Sequence, residues 1–137
     1  MKKWRYFKLS LFHCVLPLIT GALVYLFLRP SNFLSRLFNI QKSVPVKSSL
    51  LWQFFFVLPD FCWSYSLSCA LFLFSIFYNF NFKTNAILIF ILLVCSEVVQ
   101  VFFPRQFRFD VFDLLAAVLA FILSSLQMKI IAYEKVF

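Results

Sequence analysis

The sequence predicts an all-α, polytopic membrane protein with four transmembrane helices, and three observations carry that reading. Of the 137 residues, 64% are hydrophobic and 13% are charged, against roughly 45–50% and about 25% in soluble domains. Phe occurs 22 times and Gly once; a soluble chain this short keeps much of its surface in water and has nowhere to hide so much apolar area. The apolar residues also fall into runs of about 20, the length that crosses a hydrocarbon core. A soluble enzyme, a disordered tail and a secreted disulfide scaffold are thereby excluded. A single transmembrane domain over 1–137 is expected, with no room for a soluble domain.

Lys2, Lys3, Arg5 and Lys8 precede an apolar run over 9–28. A basic start before an apolar stretch also opens a signal peptide. Here the run is long enough to span, no small-residue cleavage site follows, and Arg29-Pro30-Ser31-Asn32 reads as a helix stop. We therefore expect an uncleaved first span over 9–28. In the connection over 29–49, Phe33, Leu34, Leu37, Phe38 and Ile40 recur at helical spacing beside Arg36, Asn39 and Lys42. That pattern fits a short helix lying in the membrane interface and, equally, an irregular loop.

The next apolar stretch, 50–78, is longer than one span needs and is interrupted by Leu58-Pro59-Asp60. Proline suits the first turn of a helix and is costly in its interior. The expectation is a short apolar approach over 50–58 and a second span over 60–78. Tyr78-Asn79-Phe80-Asn81-Phe82-Lys83-Thr84-Asn85 makes a tight connection to a third span over 86–103, ended by Pro104. After the basic turn Arg105-Gln106-Phe107-Arg108 a fourth span covers 110–128, followed by a tail with Lys129 and Lys135.

The net charge of +8 resides mostly in connections beside apolar runs, where it meets lipid headgroups and sets topology. No nucleic-acid motif accompanies it, so membrane lipids rather than nucleic acid are the expected partners. With four spans the termini share a side, and the positive charges divide almost evenly between the two sides. The dense charge ahead of the first span, which usually dominates orientation, favours cytoplasmic termini. Cys14, Cys62, Cys69 and Cys95 all lie in apolar stretches without a CxxC pair, and are expected to pack as small hydrophobes.

The informative residues are polar ones at membrane depth, where an ionised group needs a partner or water. Glu97 lies well inside the third span, with Gln100 three residues on and on the same face. Asp113 lies one turn into the fourth span, three residues after Asp110, and Arg105 and Arg108 occupy the turn between. Closing that hairpin gathers acids, an amide and two guanidiniums, which pair carboxylates in two-pronged fashion. Two readings stand side by side: a self-neutralising staple between the third and fourth helices, and a polar pocket for an anionic headgroup, a phosphate or a proton. Asp60 reads first as an N-terminal cap of the second span, and second as a wall of that pocket, since it shares the same membrane face. Ala116, Ala120 and Ser124, spaced by four, mark a close-packing helix face, against this chain or another.

Nothing points to familiar catalysis. His13 is the only histidine, and no residues have metal-ligand spacing or a nucleophile motif for a triad. A single glycine, Gly21, cannot make a phosphate-cradling loop. No catalytic residue, metal or cofactor is expected.

The stretch Glu97-Val98-Val99-Gln100-Val101-Phe102-Phe103-Pro104-Arg105-Gln106-Phe107-Arg108-Phe109-Asp110-Val111-Phe112-Asp113 resembles the signature of VanZ-like membrane proteins. There a Glu and a Gln end one span, and an Arg-containing turn leads to Asp-x-x-Asp. Leu58-Pro59-Asp60-Phe61-Cys62-Trp63 is similar to a Pro-Asp-x-x-Trp stretch of small relatives. Leu16-Pro17, Gly21, Tyr25 and Arg29-Pro30 are similar to their first span. Where that family shows Asn and then Gly positions, this chain has Ala117, Ala120 and Ser124. The resemblance implies a small protein of the bacterial inner (cytoplasmic) membrane. With the compactness of the chain, the lack of room for a soluble domain and the small-residue face of the fourth span, which favour dependence on a partner, we expect a non-catalytic accessory subunit of a larger membrane-protein complex, or an envelope-associated factor. The alternative is a module that binds or transports a lipid headgroup or envelope precursor through the Glu/Arg/Asp cluster.

Overall fold

A computed structural model describes residues 2–28, 50–102 and 110–136, and these are helical apart from one short turn and the residue before the last helix. The elements are α1 (Lys2–Ser10), a π-helical turn (Leu11–Val15), α2 (Leu16–Leu28), α3 (Leu50–Tyr78), α4 (Phe82–Phe102) and α5 (Val111–Val136). Four stretches are long and apolar enough to cross a membrane: Phe7–Phe27, Phe54–Tyr78, Phe82–Gln100 and Val111–Ala132. The chain is an all-α, multi-pass protein by this measure. The interfacial helix expected near 33–42 lies outside the described residues.

α1, the π turn and α2 follow one another without a gap. The Leu16 amide donates to the Leu11 carbonyl five residues back, the π register. The irregularity sits beside Pro17, which has no amide to give to the carbonyl of His13. At the N-terminal end, Lys8 lies 5.4 Å from the Trp4 ring centre, an amphipathic pair of the kind found at membrane interfaces.

The expected boundary at Pro59 does not exist. α3 runs from Leu50 to Tyr78 with Pro59 inside it, so 50–58 is part of the helix and not an approach to it. Prolines are tolerated in membrane helices where neighbouring groups accommodate the interrupted backbone, and here α2 lies directly against the interruption. A Cβ on Gly21 would stand 2.8 Å from the Cys62 Cβ and 3.3 Å from the Pro59 carbonyl oxygen. The chain's only glycine therefore marks the place where two helix backbones touch.

The turn between α3 and α4 is closed by its asparagines. Asn79 takes a left-handed backbone, φ 56°, and the Phe80 amide donates to the Ser75 carbonyl at 2.9 Å, a Schellman-type ending. Asn81 Oδ1 then accepts from the amides of Lys83 (3.0 Å) and Thr84 (3.4 Å), capping α4. This cap lets α4 start at Phe82, earlier than the expected 86.

α3 is the hub: it packs against α2, α4 and, most extensively, α5, and α4 and α5 also meet. The first span packs chiefly on α3. The core joins Cys69, Phe72 and Ile76 of α3 to Ile89 and Leu93 of α4 and Met128 and Ile131 of α5. Phe72 stacks on Phe82 at 4.8 Å, and Asn85 Nδ2 donates to the Leu71 carbonyl at 3.2 Å. Leu9, Phe82 and Ala132 all border this core, so the C-terminal end of α1 and the last turns of α5 lie toward the α3–α4 turn. Ala116, Ala117, Ala120 and Ser124 of α5 are buried, as are Ser64, Ser68 and Ser75 of α3. The small-residue face is thus consumed inside the chain. The hydroxyls of Ser68 and Ser124 return to carbonyls of their own helices, Ser64 (2.7 Å) and Phe121 (2.9 Å), leaving the contact smooth. Outer faces carry large exposed apolar side chains such as Phe12, Phe27, Phe74 and Leu119, as lipid contact requires. All four cysteines are free thiols.

Candidate functional site

At the end of the bundle away from the α3–α4 turn lie carboxyl groups of three helices, Asp60 of α3, Glu97 of α4 and Asp113 of α5. Glu97 and Asp113 are buried, with 8% and 9% of their surface exposed, and Asp60 lies within electrostatic range of Glu97. Gln100 Nε2 donates to Glu97 Oε2 at 2.8 Å, the i, i+3 contact expected on one helix face. All three acids fall inside the stretches apolar enough to cross a membrane. Intramembrane acids are costly and are held facing the bundle interior or a polar cavity, which is where Glu97 and Asp113 sit.

The two acids at helix-start positions exchange roles relative to expectation. Asp60 stands ten residues inside α3, so it is not an N-terminal cap. Asp110 is the cap. Its Oδ1 accepts from the Phe112 amide at 3.0 Å, and its carbonyl accepts from the Asp113 and Leu114 amides. Asp110 is exposed and is occupied with starting α5, which removes it from the pocket and leaves Asp113 as that helix's inward carboxyl. Arg105 and Arg108 lie outside the described residues.

Beside Asp60, the Gly21 contact between α2 and α3 borders a groove of about 220 Å³, lined by Leu18, Tyr25, Asp60 and Trp63 among others. Trp63 is 59% exposed, so it forms an outer wall rather than core. The groove therefore combines a carboxyl, two aromatic rings and an apolar floor.

A second polar locus was not foreseen from the sequence. His13 Nδ1 lies 2.9 Å from the Tyr65 hydroxyl, and the Ser66 hydroxyl donates to the Cys14 carbonyl. The π turn thus docks onto α3 through side chains at mid-membrane depth. No signal along the chain marks it: Pro17 leaves the His13 carbonyl without its amide, whereas the carbonyl that Ser66 reaches is that of Cys14.

Chemically, the carboxylate end offers carboxyl groups and an amide, able to accept and donate hydrogen bonds. Among the described residues no group of three or more His, Cys, Asp or Glu is arranged to hold a metal ion. No protein-family model, curated protein or solved structure matches this chain.

Proposed function

We propose that the chain is a non-catalytic binding module of a bacterial inner membrane, of the VanZ-like type, whose carboxylate end holds the polar head of a membrane lipid or envelope precursor. The observation that carries this reading is the approach of Asp60 to Glu97 from two helices, with Gln100 bonded to Glu97 and with Glu97 and Asp113 both buried at membrane depth. A staple between helices needs no groove beside it, whereas here Asp60 also lines one. Arg105 and Arg108, in the connection between α4 and α5, are the cations this reading assigns to a phosphate. The chain is placed with its termini in the cytoplasm, on the charge ahead of its first span.

Native mass spectrometry of the gently extracted protein tests the proposal. Wild type is expected to carry a defined lipid or precursor, and Glu97→Gln with Asp113→Asn to give a folded protein without it. An unchanged lipid complement in the double variant would refute the binding role and leave the acids as a staple.

A second reading, an accessory subunit of a larger membrane-protein complex, draws on the first span. In its most apolar window only 6% of residues are buried, against 44% in the second span, so most of that helix is free to face another chain. Ala116 and Ala120 are already covered by this chain and no longer mark the partner face. A stoichiometric protein partner that is lost on Leu23→Trp, at a 49% exposed position, would favour the subunit.

A further inference from the structure

We infer that the seam between α2 and α3 is a binding site for one phospholipid whose head carries a primary ammonium. The ammonium is held by Asp60 between Tyr25 and Trp63, and one acyl chain lies along the helices toward Cys14. This rests on, and deepens, the reading of the carboxylate end as a binding site.

The argument begins with the shape of the seam. The groove containing Asp60 shares Leu18 and Trp63 with a second groove of about 250 Å³, which continues along the same two helices past Leu67 and Ala70 to Cys14. The first has a carboxyl and aromatic rings, and the second has largely apolar walls. A polar recess leading into an apolar trough has the amphipathic profile of a single lipid. The length agrees. From Tyr25 to Cys14 is about 16 Å along a helix rising 1.5 Å per residue, close to half of a hydrocarbon core of about 30 Å.

Charge selects the head. Asp60 lines the recess and Glu97 adds a second carboxyl within electrostatic range. A phosphate or glycerol head without a cation brings no charge to complement them. A primary ammonium donates three hydrogen bonds and is attracted to the faces of Trp and Tyr. A quaternary ammonium would satisfy the rings but cannot donate to the carboxyl. The seam was made this narrow by Gly21, where any side chain would push the helices apart.

The test is native mass spectrometry of purified protein incubated with phosphatidylethanolamine, phosphatidylcholine or phosphatidylglycerol. Wild type is expected to retain one phosphatidylethanolamine in preference to the other two. Asp60→Asn should reduce that preference roughly tenfold, the order set by one charge-assisted hydrogen bond. Trp63→Ala keeps the test valid if Asp60→Asn misfolds, since Trp63 is an exposed wall. It should lower phosphatidylethanolamine occupancy at an unchanged melting temperature. Wild-type selectivity in both variants, preferential retention of phosphatidylglycerol, or a protein segment covering the seam would each overturn the inference. Glu97→Gln and Asp113→Asn, run alongside, separate the two claims. Lipid loss in these but not in the Asp60 and Trp63 variants removes the seam site and keeps the carboxylate end as a binding site. No loss in any of the four variants removes both.

Discussion

The two ends of the bundle are built on different physics. At the α3–α4 turn, polar groups are satisfied locally: Asn79 closes α3, Asn81 caps α4, and Asn85 reaches one carbonyl on the neighbouring helix. Apolar mass then fills the space, with Phe72 stacked on Phe82 and packed near Phe121. At the opposite end, Asp60 and Glu97 approach each other from two helices, Asp113 of a third is buried, and Pro59 lies inside the helix that carries Asp60. The lesson is a division of labour. The turn end holds the helices together, whereas the carboxylate end holds costly groups at membrane depth, which the proposed function assigns to a ligand.

The sharpest way to break this comparison is Gly21→Leu, which forces a side chain into the contact between α2 and α3. Overpacking of this kind costs typically 1–3 kcal/mol and at times more, so we expect about 3 kcal/mol in unfolding from mild detergent, together with loss of lipid from the seam. Phe72→Ala attacks the other end. Lipid is as apolar as the core, so packing rather than transfer from water is lost; at roughly 24 cal/mol per Å³ of cavity, a vacated phenyl ring costs about 2 kcal/mol. Lipid binding should be unchanged in that variant, and a change would blur the division between the ends.

Asp110→Ala sharpens the distinction between cap and site. Loss of an N-cap costs about 1 kcal/mol, measured as a lowered melting temperature, while bound lipid is retained. Glu97→Gln should do the reverse, with a change below about 1 kcal/mol because the amide keeps an acceptor for Gln100, and with lipid occupancy lost in native mass spectra. The smallest effect belongs to Tyr65→Phe, which removes the contact with His13. Hydrogen bonds between membrane helices average about 0.6 kcal/mol, and equilibrium unfolding of the two proteins side by side measures the difference.

Much of the fold was legible along the chain. Apolar runs of spanning length, bounded by Asn79–Asn81 and by the basic connections, mark the helices because the bilayer demands length and apolarity from contiguous residues. Pro59 misled, since its cost in a helix is a local rule that packing with α2 overrides. Asp60 and Asp110 misled together. Both precede apolar runs and both match the cap pattern, but only the hydrogen bond to the Phe112 amide distinguishes a cap from a carboxyl facing a groove. Within the site, the Glu97–Gln100 pair followed from helical spacing. The groove did not, because it lies between α2 and α3, and spacing along one helix carries no information about the neighbour.

The sequence by itself determined that the chain is helical and spans a membrane four times, and that acids and an amide lie near the ends of those spans. These follow from composition, run length and the 3.6-residue repeat, which are properties of contiguous residues. Only the tertiary structure decided that α3 is the hub and that Ala116, Ala120 and Ser124 are covered by this same chain. It also decided that Gly21 meets Pro59 and that Asp60 faces a groove instead of starting a helix. Each of these depends on contacts between segments far apart in the chain, which are set by how side-chain volumes fit across helices.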